Sequence, residues 1–104
     1  MTEKSSRDDE RHYYIVQRLR ELHFKWPVWG TWERGEAVLR LRSEGVSLRK
    51  LAEIAGCSEG TIRNYELLGW ARPYWKEELF EQRISMRRLV QLAREEQKRR
   101  RNRE

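Results

Sequence analysis

The chain has 104 residues, 38% hydrophobic and 38% charged, which suits a single domain with one small core beneath a heavily charged surface. Lys and Arg outnumber Asp and Glu by 23 to 17, a net +6 that favours polyanionic partners without identifying them. Cys57 is the only cysteine, which excludes an intrachain disulfide, and no run approaches the roughly 18 apolar residues of a membrane span. The opening "MTEKSSRDDERH" also lacks the apolar run of a signal peptide, so a soluble cytoplasmic protein is expected.

In chain order, residues 1–10 are polar and expected to be flexible. Asp8 or Asp9 is a candidate cap for a helix running to about His23, with Ile15, Leu19 and Leu22 as its apolar stripe. Pro27 and Gly30 in "FKWPVWGTW" stop it. Thr31 is the expected cap of a second helix, Trp32 to Glu44, which turns Ala37, Val38 and Leu41 inward and closes at Gly45. Ser47 caps a third helix, "LRKLAEIA", whose Leu48, Leu51, Ala52 and Ala55 form an amphipathic face.

Gly56 ends that helix, and Ser58 caps a fourth that is expected to finish near Gly69. Pro73 suits the first turn of a further helical segment with Trp75, Leu79 and Phe80 buried. Ser85 starts a last helix lined by Met86, Leu89, Val90 and Ala93. "KRRRNRE", residues 98–104, reads as a basic tail. No strand alternation is present, so the fold is expected to be all-α, a compact multi-helix domain over residues 11–97.

The stretch from 47 to 68 has the spacing of a helix-turn-helix. Ala52 is a small residue where two helices cross. Gly56 tolerates the positive φ of a tight turn, and Ile62 is a branched anchor facing back. At roughly 100° per residue, Thr61, Ile62, Tyr65 and Leu68 fall on one side of the second helix. Glu59, Gly60, Arg63 and Asn64 fall across the other, with Ser58 at the tip.

The outward set has the chemistry of base reading. Arg matches guanine O6 and N7, Asn matches adenine N6 and N7, and Glu accepts from cytosine N4. Gly60 permits close approach, and the amide groups near Ser58 suit a phosphate. The same residues also make an ordinary solvated face, and Glu59 also complements the helix dipole. Ser47, Arg49, Lys50, Arg99, Arg100 and Arg101 are the candidate backbone contacts.

Residues 36–93 resemble the central helix-turn-helix domain of ParB/Spo0J-type partition proteins, including the KorB-like branch. The resemblance is carried by "EAVLRLRSEGVSLRKLAEIAGCSEGTIRNYELLGWA" and "YWKEELFEQRISMRRLVQLA". It implies specific duplex binding through the second helix of the motif, Ser58 to Tyr65. No "GERRxR" pattern accompanies it, so the clamp activity and CTP use of full partition proteins are not implied. "TIRNYELLGWARP" is similar to the MerR regulators, an alternative setting, although no "GYR" wing element follows Pro73.

Other functions have less to stand on. Trp26, Trp29 and Trp32 lie within seven residues and read either as core filler or as a protein-docking patch, the basis of an adaptor alternative. His12, His23 and Cys57 make no zinc spacing, and no Gly-rich phosphate loop occurs. Neither an enzyme nor a cofactor is expected. The expected function is sequence-specific binding of double-stranded DNA by a cytoplasmic, nucleoid-associated regulator or partition-type protein. Residues 59–67 would enter the major groove, and a homodimer on an inverted repeat fits so short a reading helix.

Overall fold

Four short local signals set the middle of the chain. Ser47 Oγ accepts the Lys50 amide at 3.1 Å, and Ser58 Oγ accepts the Thr61 amide at 3.1 Å, each satisfying an orphan donor at a helix start. Gly45 and Gly56 take positive φ values of 93° and 74°, the left-handed turn that terminates a helix. At the first of these turns the Val46 amide reaches back to the Leu41 carbonyl at 3.1 Å, and both side chains enter the core.

The computed structural model describes residues 3–75 and 84–103, with side chains at 9–75 and 84–102. Among them are five α-helices and no strand: α1 (Glu3–Lys25), α2 (Thr31–Ser43), α3 (Leu48–Ala55), α4 (Glu59–Ala71) and α5 (Met86–Arg103). A 3₁₀ turn (Arg72–Tyr74) follows α4 directly. The fold is all-α. None of the described helices is long and apolar enough to cross a membrane.

Two apolar clusters meet along α4. The first joins Leu22 of α1 and Trp26 just after it, Val38 and Leu41 of α2, Leu51 and Ala52 of α3, and Ile62 and Tyr65 of α4. The second joins Leu68 and Ala71 of α4 to Leu89, Val90 and Ala93 of α5, flanked by Trp32, Trp70 and Trp75. Leu22, Leu51, Ile62 and Leu68 are fully buried, and burying each such side chain contributes about 1.5–3 kcal/mol.

The most extensive packing is α2 against α4, and glycine makes it close. A Cβ built on Gly69 would collide with the Gly35 carbonyl, and one on Gly35 would stand 3.0 Å from the Tyr65 carbonyl oxygen. Two backbones therefore touch where side chains would normally separate them.

Beside this crossing, Arg34 clamps the first cluster. Its Nε donates to the Trp26 carbonyl at 2.9 Å and its Nη1 to the Tyr65 hydroxyl at 2.9 Å. Its guanidinium lies over the Trp26 ring, 4.9 Å from the centroid, and Trp26 meets Tyr65 edge-on at 5.2 Å.

Several boundaries differ from the sequence expectations. Residues 3–10 are helical, and α1 starts at Glu3 rather than at Asp8 or Asp9. His23 and Lys25 in its last turn complement the helix dipole. Gly30, not Thr31, caps α2: its amide is bonded by the Glu33 carboxylate at 3.1 Å, while Thr31 is the first helical residue. Ala37 is only half-buried, and Gly35 occupies the inward position.

The fourth helix runs through Gly69 to Ala71, because the crossing with α2 needs helical backbone there. Pro73 sits in the 3₁₀ turn and Trp75 is half-buried; the rest of the helical segment expected after Pro73 lies outside the described residues. Leu79 and Phe80 lie outside the described residues. Residues 98–103 are not a separate tail but the last turns of α5. There Arg99 and Arg100 reach back to Glu96, both at 3.0 Å, which offsets the like-charge repulsion.

Two outcomes follow from this packing. Gly69→Ala should cost about 1–3 kcal/mol in urea unfolding despite alanine's higher helix propensity, because the collision is with backbone. Burial pushes the Cys57 thiol up, with Arg34 partly opposing. The thiol should therefore react with a disulfide reagent more slowly than a free thiol near pH 8. Its ionisation in the unfolded chain should also erode stability as pH rises above the ordinary thiol range, and not below it.

Candidate functional site

The turn at Gly56 presents the start of α4 away from the core. Ile62, Tyr65 and Leu68 hold the inner face, while Ser58, Glu59, Gly60 and Arg63 are exposed and Asn64 is half-buried. The Thr61 amide is taken by Ser58 Oγ and the Ile62 amide by the Ser58 carbonyl. The Glu59 and Gly60 amides are left as the unsatisfied donors of the helix start. Nothing lies nearer than 3.7 Å to a Cβ built on Gly60, and that neighbour is Ser58 Oγ.

Ser58 itself acts locally. Its hydroxyl caps the helix and lies 2.9 Å from the Thr61 hydroxyl, so it shapes the helix start more than it offers a free group. Among the described residues, neither Arg63 nor Asn64 has a side-chain hydrogen bond or ion pair.

Only the first two turns of α4 are open. Beyond Asn64 the helix is flanked by α2 and α5, and Glu66 pairs with Arg42 at 3.3 Å. Of the expected stretch 59–67, the open part is residues 59–64. Leu67 instead lies in a groove of about 390 Å³ bordered by Arg63, Asn64, Trp70, Arg94 and Gln97. Trp70 lies beside the two polar residues without burying Arg63.

The candidate backbone contacts divide. Ser47 is exposed but its hydroxyl caps α3. Arg49 is exposed and loosely paired with Glu53 at 3.4 Å. Lys50 is exposed and borders an apolar groove between α1 and α3. Arg99 and Arg100 are engaged by Glu96, and the Arg100 guanidinium also lies 3.5 Å from the Tyr74 ring centroid. Arg101 is exposed with no partner among the described residues. The structure therefore removes Arg99 and Arg100 as free cations and adds Arg94 and Gln97 beside Arg63. The seven-residue spacing of Arg87, Arg94 and Arg101 is the sequence signal for that face.

The tryptophans are not one exposed patch. Trp26 is buried beneath Arg34, Trp29 packs on the first cluster, and Trp32 meets Trp75 edge-on at 5.9 Å within the second. The large exposed apolar side chains are others, led by Val28 and Phe24.

No protein-family model matches the chain, and no curated protein or solved structure matches it significantly.

The open space at Gly60 makes a structural test. Gly60→Ala should raise stability by up to about 1 kcal/mol in urea unfolding, the ordinary gain from replacing glycine inside a helix. A loss of stability would show that the open face of α4 is misplaced.

Proposed function

We propose that α3, the Gly56 turn and α4 work as a helix-turn-helix, and that the protein is a non-enzymatic, sequence-specific binder of double-stranded DNA. One observation carries this reading. The first two turns of α4 present Glu59, Gly60, Arg63 and Asn64 on one side without intramolecular side-chain bonds, while Ile62 and Tyr65 lock the other side into the core.

The chemistry of that face suits base edges. Arg63 would bond a guanine through two parallel hydrogens and Asn64 an adenine. Gly60 would let the helix approach closely, and the free Glu59 and Gly60 amides would receive a phosphate. Arg49 and Lys50 at the start of α3 would fix register through the backbone. The proposed settings are transcriptional control, including a MerR-like role, and partition-type maintenance of a plasmid or mobile element. In either, the protein would act in the cytoplasm at the nucleoid. So few reading residues cover a short half-site, which favours a homodimer on an inverted repeat.

The adaptor alternative loses its main support, because Trp26 is core and Trp29 and Trp32 are packed in different clusters.

Selection from a random duplex library, followed by anisotropy titration, tests the reading. A recovered motif, tight binding and a steep fall with salt are expected; absence of all three would remove the proposal. Against the selected site, Arg63→Ala should cost about 1–3 kcal/mol of discrimination in a competition assay. Unchanged selectivity would take Arg63 out of the reading set.

A further inference from the structure

Charge pairing sorts the arginines of α5 into two sets. Arg99 and Arg100 are held by Glu96, a buried carboxylate. Arg87, Arg94 and Arg101 recur every seven residues, which keeps them on one helix face with a drift of about 20° per step, and Lys98 falls on the same face. All four cations are exposed, and none has a partner among the described residues.

That face borders α4. Leu68 and Ala71 pack with Leu89, Val90 and Ala93, whereas the earlier Arg63 and Asn64 share a groove with the later Arg94 and Gln97. Arg94 and Gln97 therefore stand beside the polar side of α4. Arg101 stands about 10 Å further along the α5 axis than Arg94.

We propose that α5 is a second DNA-contacting element. Arg94, Lys98 and Arg101 hold the phosphate backbone of one strand of the duplex whose bases meet α4, and Gln97 donates from the groove between the helices. The proposal rests on the reading of α4 given above. Guanidinium groups match phosphate geometry with paired hydrogens. A separation of about 10 Å spans roughly three nucleotides at 3.4 Å per strand. The carboxylate bordering the groove, Glu66, is already offset by Arg42, so it does not repel a phosphate in full.

The test is the salt dependence of duplex binding by the full chain, measured by anisotropy for a selected and a random duplex. Each phosphate that the protein no longer neutralises takes about 0.9 off the log–log slope. Arg94→Ala with Arg101→Ala should make the slope shallower by roughly 1.8 and weaken both duplexes equally. Arg99→Ala should leave the slope unchanged. Both changed side chains are exposed, so an unaltered melting temperature certifies the fold; should it drop, Arg94→Gln with Arg101→Gln provides the same reading. A wild-type slope retained by the double variant overturns the role of α5 while leaving that of α4 intact. A wild type that binds neither duplex overturns the reading of α4 itself.

Discussion

The close approach of α2 and α4 at Gly35 and Gly69 is the constraint on which the rest of the molecule depends. A side chain at either position would push the helices apart, and with them the two apolar clusters that share α4. Because the backbones touch, Tyr65 comes within reach of Arg34, and Arg34 in turn holds the chain leaving α1 by the Trp26 carbonyl. One approach of bare backbone thereby organises α1, α2 and α4 around a single guanidinium. The arrangement is rigid where α4 is buried and leaves its first two turns unencumbered.

Local chemistry is legible in the sequence, and tertiary chemistry is not. Ser47, Ser58, Gly45 and Gly56 act through bonds and dihedral angles within a few residues, so their roles can be read from spacing alone. Gly69 has the opposite character. As a helix breaker it suggests an end, yet its approach to Gly35 in another helix keeps it inside α4. The last turns of α5 escape a sequence reading for a related reason. Polar composition resembles a loose terminus until its i, i+3 and i, i+4 partners are counted.

The candidate site divides along the same line. The outward position of Glu59, Gly60 and Arg63 follows from helical periodicity once Ile62 is fixed inward. Which arginines remain available does not follow from a basic run. Glu96 pairs with two of those that stand out in "KRRRNRE", whereas Arg94, isolated in sequence, shares the groove with Arg63. Net charge counts these residues as equivalent, and geometry separates them by partner. The tryptophans show the same effect for apolar groups: proximity in sequence leaves core filler and docking patch both open, and the fold packs Trp26 and Trp29 on the first cluster and Trp32 on the second.

Gly60 and Gly69, nine residues apart in one helix, show how stability and presentation are divided along α4. Glycine lowers helix stability wherever it stands, so each needs a compensating reason. At Gly69 the reason is internal, since any larger residue would meet the backbone of α2. At Gly60 the protein supplies none: the space beside it is open, and alanine would fit without a clash. A helix start with a bare flank, free amides and a neighbouring unpaired arginine is the kind of surface on which the proposed duplex reading rests. The exposed cations of α5, of which Arg94 shares a groove with Arg63, would suit a partner carrying regularly spaced negative charge. The proposed partner, duplex DNA, combines such charge with base edges that Arg63 and Asn64 can address.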